Sequence, residues 1–333
     1  MRNAATYDPP AGERFAARKR VRLATTRSIK TEGGSEKGKS DPSKGSGLKK
    51  ILLIIESEGA VFDSLSLMHQ KAYIPAFSGC FSLGADPSYA SMLWRRLALF
   101  SRLRGQEPLV ILQAALRILN RCYPSMRRVA VLRSLDFFLG SSGKDRSLLA
   151  ESGEGSPERL LLDWMTMAET LMEEEGYAPC FENAKTFLRE LSLSVSGAEV
   201  LVHSVFPENL ALNEWEMAEL GGSFLRIAGA ERGDFAAYLR SALKNGFETC
   251  PILVIGTSAR AWQAAQSVGA RFYPIIPEEE EESWLFFSEQ YFPAFLRGET
   301  YRLSQDRNPF MSMMVEDLDA CLQALGPAVP ILR

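Results

Sequence analysis

Two acids two residues apart, Glu56 and Glu58, stand directly behind five aliphatic residues, Ile51 to Ile55. A run this short and purely aliphatic, cut off by charge and followed by Gly59, predicts a strand buried on both faces. The two carboxyls then sit just past its carboxyl end, where open α/β sheets bind ligands. A plainer reading has them only solubilise the strand end and cap the turn behind it. Other chemistries are excluded by composition. His69 and His203 are the only histidines, so no histidine-rich metal site exists. Cys80, Cys122, Cys180, Cys250 and Cys321 are scattered without a C-x-x-C pair, which speaks against a zinc site or a disulfide framework and for a reducing cytoplasm. No G-x-G-x-x-G follows a strand, which disfavours a nicotinamide dehydrogenase.

The elements that must position these acids change character along the chain. Residues 1–48 lack hydrophobic periodicity and predict a disordered basic extension, with Thr31 to Gly47 mostly Gly, Ser, Lys and Glu. Residues 1–50 hold 13 Lys/Arg against 5 Asp/Glu, a net +8, which leaves the rest at −11. A basic tail of this kind can touch nucleic acid or anionic lipid. No aromatic interleaving accompanies it, so a nucleic-acid partner is not expected. No apolar stretch reaches the length of a membrane span, and no secretory signal is visible.

After the first strand only helices are expected: Leu65 to Phe77, Tyr89 to Leu103, Leu109 to Leu119 and Ser125 to Leu139. A loop over Ser141 to Gly155 follows, then a helix capped by Ser156 and Pro157 that stops at Gly176, and another over Phe181 to Leu193. Strands then alternate with helices. Glu199 to Val205, Ser223 to Ala228, Pro251 to Gly256 and Arg271 to Ile276 predict strands. Pro207 to Leu220, Asp234 to Lys244 and Ala259 to Val268 predict the helices between them. The acidic run Glu278 to Glu282 opens a last helix at the end that the macrodipole favours, carrying Trp284, Phe286, Phe287 and Tyr291 inward. The fold class is α/β: a Rossmann-like parallel sheet with an all-helical cap inserted after its first strand. The expected division is a core at 49–64 and 197–300, a cap at 65–196 and a helical tail at 301–333.

The stretch from Glu56 to Ser64, ESEGAVFDS, resembles the first motif of the haloacid dehalogenase (HAD) superfamily of phosphohydrolases, D-x-D-G-T-x-x-D-S. Gly59, Asp63 and Ser64 match, while both functional aspartates are glutamates. The resemblance runs from about Lys49 to Glu299. It implies that Ser204, in LVHSVF, stands at the motif II position that hydrogen-bonds phosphoryl oxygens, with His203 beside it facing the opposite side as a packing residue. The motif III lysine falls at Phe235, where Lys244 or Arg232 are the nearest substitutes. The motif IV frame, IGTSARAWQAAQSVGARFYPIIP, places Thr257 and Ala261 where two magnesium-holding acids belong. Thr257 and Ser258 otherwise read as helix N-caps. A looser match, Ser101 to Leu109, keeps Arg104 and Gly105 of a cap motif and would turn Arg104 toward an anion. By composition Arg102 and Arg104 are ordinary surface arginines.

What the resemblance implies is therefore a phosphohydrolase site with altered chemistry. Glu56 and Glu58 are the candidate catalytic residues, Ser204, Gly59 and Arg104 the candidate phosphate-binding residues, and Glu56 the one carboxyl left for a weak Mg2+ site. Glutamate carries its carboxyl roughly 1.5 Å further out, and misplacement by about 1 Å can cost about 100-fold in rate. Three readings stay open: a protein that binds a phosphorylated molecule or a partner without efficient turnover, an active Mg-dependent phosphomonoesterase using Glu56 and Glu58, and a structural or interaction protein.

Overall fold

The computed structural model describes residues 51–299, apart from 83, 142–145, 195–197, 222–224 and 245–249, together with 310 and 313. The extension at 1–48 lies outside the described residues, as does all of the tail at 301–333 except Phe310 and Met313.

Among the described residues five strands form one sheet: β1 (Ile51–Glu56), β2 (Ala198–His203), β3 (Leu225–Ala228), β4 (Ile252–Gly256) and β5 (Arg271–Pro274). Their order is β3-β2-β1-β4-β5, and every neighbouring pair is parallel. The strand at the centre must be apolar on both faces, which is why β1 is aliphatic throughout. The pleat sends Ile51, Leu53 and Ile55 into a cluster with Phe187, Trp284 and Phe287. Leu52 and Ile54 enter the opposite cluster with Leu239, Ala261, Ala264 and Ala265. Helices therefore cover both faces of a parallel sheet, as its burial requires.

Between β1 and β2 the described residues form helices: α1 (Ser64–Met68), α2 (Ile74–Phe81), α3 (Pro87–Leu99), α4 (Pro108–Cys122), α5 (Met126–Gly140), α6 (Ser147–Ala150), α7 (Pro157–Glu174) and α8 (Glu182–Ser194). α2 to α7 gather around a separate core that includes Phe77, Trp94 and Trp164. α8, counted with the cap in the sequence reading, instead packs Ala184, Phe187, Leu188 and Leu191 on the sheet. After β2 come α9 (Glu208–Met217), α10 (Phe235–Lys244), α11 (Ala259–Ser267), α12 (Glu280–Phe286) and α13 (Phe292–Leu296).

Three differences from the sequence expectation have local causes. α1 runs into α2 through a π turn at His69–Tyr73, and α12 runs into α13 through another at Phe287–Tyr291. Each π turn is followed within two residues by a proline, Pro75 or Pro293. A proline lacks the N–H and crowds the carbonyl four residues back, and a widened turn absorbs both. α3 begins at Pro87, capped by Asp86, whose side chain accepts from Ser88 N (2.9 Å). It stops at Leu99 rather than Leu103, which frees residues 101–106 to turn. A short helix, α6, also stands inside the segment expected to be a loop.

The register sets the strand tips level. Glu56 stands beside His203, and Ile55 beside Ile255. Ser204 and Thr257, each the residue after its strand, therefore flank the end of β1.

Candidate functional site

The chain turns immediately after β1. Val61 and Phe62 N–H both return to Ser57 O (3.0 and 3.2 Å), and Gly59 N–H donates to Phe62 O (2.7 Å). Gly59 adopts φ +74°, and a Cβ there would stand 2.7 Å from Leu65 Cδ1 and 3.0 Å from Arg104 Nη2. Only glycine satisfies both the left-handed backbone and that clearance.

On the β4 side, Glu56 is 3% exposed. Its Oε2 accepts from Thr257 N (2.8 Å) and Ser258 N (3.1 Å), and its Oε1 accepts from Ser258 Oγ (2.5 Å). Ser258 Oγ also accepts from Ala261 N (3.2 Å), so it caps α11 as its residue type suggests. Thr257 Oγ1 accepts from Arg104 Nε (2.8 Å).

On the β2 side, Glu58 is 2% exposed. Its Oε1 accepts from Ser204 Oγ (2.5 Å) and its Oε2 from Val205 N (2.9 Å). Ser204 Oγ in turn accepts from Phe206 N (3.0 Å). Burial pushes the Glu58 carboxyl up to about 7, against the lowering effect of the Ser204 and Val205 hydrogen bonds. The reading of both glutamates as solubilising a strand end is thus overturned: the sheet tip is closed, and both carboxyls are inside it.

Arg104 corrects the surface-arginine reading. It is 1% exposed, while Arg102 is exposed as expected. Its Nη1 donates to Leu99 O (3.2 Å), and its Nη2 lies 3.6 Å from Glu280 Oε1. Burial lowers its pKa, opposed by attraction from Glu280, Glu56 and Asp63. The imidazole of His69, fully buried, accepts from Trp94 Nε1 at Nδ1 (3.3 Å). Burial, aided by the charge of Arg104, pushes His69 down to about 3, so it adds no second cation. His203 packs as expected, edge-on to Phe235 at 4.9 Å, with Nε2 3.2 Å from Gly233 O. Phe235, at the frame position of the missing lysine, is 2% exposed. Neither Lys244 nor Arg232 is among the groups whose charge acts on Glu58 or Arg104.

Sequence reasoning missed the acidic run as a set of tertiary partners. Glu278 pairs with Arg95 of α3, and Glu280 with Arg104. Glu281 accepts from Glu182 N (2.7 Å) and Asn183 N (2.9 Å) at the start of α8. Five acids in a row against arginines in the helical insert were the available signal. The nearby hollow lined by Ser64, Leu67, Met172, Phe206 and Leu210 reaches none of Glu56, Glu58, Thr257 or Arg104.

No protein-family profile and no curated protein matches the chain. The solved structures to which it is similar include HAD-like hydrolases. One is a haloacid dehalogenase-like family hydrolase from Streptococcus pneumoniae, at 14% identity, covering 70% of this chain and 90% of that one, with a TM-score of 0.34. Another is an L-2-haloacid dehalogenase, at 14% identity over 71% of this chain and 87% of that one, with a TM-score of 0.32. These similarities are distant, and none assigns a role to a residue of this chain.

Magnesium takes near-octahedral oxygen ligands, usually one or two carboxylates with waters. The residues present do not fit it. Both oxygens of Glu56 carry donors, Thr257 offers a hydroxyl already taken by Arg104, and Ala261 offers nothing. Among the described residues no three His, Cys, Asp or Glu side chains cluster as a metal site. No helix among them is long and apolar enough to cross a membrane.

Proposed function

We propose that the chain is a catalytically silent protein of HAD-like fold, acting by binding and not by turnover. One observation supports this above the rest. The groups that the resemblance assigns to nucleophile, proton donor and phosphoryl-binding donors are bonded to one another. Glu56 holds the Thr257–Ser258 turn, Glu58 holds Ser204 and Val205, and the Gly59 N–H goes to Phe62 O. A phosphoryl group entering this site must displace those bonds and leave buried donors without equal replacements, which costs about 1–3 kcal/mol for each one left unpaired. Binding of a phosphorylated molecule at the strand tips is therefore disfavoured relative to binding of a partner elsewhere on the protein. A panel of phosphomonoesters with Mg2+ tests this: the wild-type rate should equal that of the Glu56→Gln variant. Turnover that Glu56→Gln abolishes overturns the proposal.

One observation favours a surviving phosphomonoesterase. A carboxyl held near 7, as Glu58 is, has the proton affinity a general acid needs at neutral pH. That reading requires the buried Glu58 carboxyl to be uncovered and released from Ser204 and Val205. It predicts a rate that falls as pH rises through about 7, with the fall absent in Glu58→Gln.

A further inference from the structure

Arg104 comes from the helical insert, yet its guanidinium lies at the tips of β1 and β4. Its Nε meets Thr257 Oγ1 at 2.8 Å, and its Nη2 passes close over Gly59. Attraction from Glu280, Glu56, Asp63 and Glu278 converges on it. By the resemblance, the first motif and Thr257 bracket the place of a divalent cation. We infer that Arg104 is a built-in cation that stands in this place and, through the same contact, fixes the insert on the sheet.

The charge pattern agrees. The frame lacks two acids, at Thr257 and Ala261, and the lysine at Phe235. A site stripped of two negative charges and one positive needs less than a divalent cation, and a guanidinium supplies one charge with donors in a fixed fork. The loop presenting it is built for the purpose. Ser101 Oγ donates to Leu97 O (2.7 Å) and accepts from Leu103 N (3.0 Å), while Arg104 N donates to Ser101 O (2.9 Å). Gly105, at φ +73°, then lies so close to the strand tips that a Cβ there would stand 3.3 Å from Ser258 Cβ and 3.8 Å from Glu56 Oε1. The acids that surround Arg104 make it a counter-ion for the protein's own carboxyls and a poor receptor for a phosphate.

The inference rests on the silent-site reading, but the two fail separately. Wild-type turnover sinks that reading, whereas the present one is read from thermal stability alone. Thr257→Asp places a carboxyl beside Arg104 Nε. If the guanidinium fills the cation position, this variant keeps a melting temperature unmoved by about 10 mM Mg2+. Arg104→Ala should melt roughly 5 °C or more below wild type and recover part of the loss with methylguanidinium but not with NaCl at equal ionic strength. The double variant Arg104→Ala/Thr257→Asp should gain about 3 °C or more with Mg2+. A Mg2+ shift in Thr257→Asp alone overturns the inference, as does an Arg104→Ala protein as stable as wild type. If Arg104→Ala does not fold, Thr257→Asp alone decides.

Discussion

Glu56 and Glu58 are the same residue type two positions apart, and each is almost wholly buried, but by different means. Glu56 faces β4, where two backbone N–H groups and a serine hydroxyl donate to it and Arg104 stands close by. Glu58 faces β2, where it has one hydroxyl and one N–H, and the attraction of a cation is not among the causes that set its pKa. The difference shows two ways of bringing an acid into a low-dielectric interior. It can be surrounded by donors and a counter-ion, or burial can raise its pKa until it holds its proton near neutral pH. The same tip of one sheet uses both, and in each case the carboxyl is hydrogen-bonded to groups of the protein itself.

The largest effect should come from breaking the β4 side. Glu56→Ala leaves Thr257 N, Ser258 N and Ser258 Oγ without their acceptor in a sealed interior. The loss in stability should be about 3–5 kcal/mol by urea denaturation, as for removal of one partner from a buried charged network. A loss below about 1 kcal/mol would show that these contacts do not hold the tip together.

The second effect separates the two sides by pH. Folding raises the Glu58 pKa from 4.5 to about 7. The folded state therefore binds the proton more tightly than the unfolded state. The resulting stability is fully present below the unfolded value and is lost as pH rises through about 7. A shift of this size is on the order of 3 kcal/mol between pH 4.5 and pH 8.5. Glu58→Gln should flatten that part of the stability profile. An unchanged slope between pH 5 and pH 8 would remove Glu58 from the account.

A smaller effect is expected at the junction with the insert. Thr257→Val keeps the shape and removes the acceptor of Arg104 Nε, so roughly 1.5–3 kcal/mol should be lost. Hydrogen exchange should rise in residues 101–106 and 257–259 together, and a rise in only one segment would contradict a shared contact. The smallest effect belongs to Arg95→Ala. Its pair with Glu278 is exposed, at 44% and 57%, and such pairs contribute about 0–1 kcal/mol. A larger loss would mean that the insert is held from outside as much as from Arg104.

Much of this architecture could be read along the chain. The aliphatic run of β1, the capping by Ser156 and Ser258, and the alternation after β2 each depend on residues within a few positions of one another. A strand's pleat and a helix's first turn are local events, so their signals are local too. The level tips of β1, β2 and β4 were legible in the motif frames, because a parallel sheet puts the carboxyl ends of its strands at one edge.

What the chain alone left open was decided by contacts between distant residues. Arg104 meets Thr257 across 153 positions, and Glu56 meets Ser258 across 202. Glu281 caps a helix that begins 99 positions earlier, where the local pattern showed only an acidic helix start. Whether a carboxyl is a nucleophile, a metal ligand or a hydrogen-bonded strut depends on the donors and charges placed around it and on whether water reaches it. The sequence supplies the residue types and the spacing of the strand tips. Only the tertiary fold brings Gly105 of the insert beside Glu56 and the turn after β2 beside Glu58, buries both carboxyls and supplies their partners within the protein.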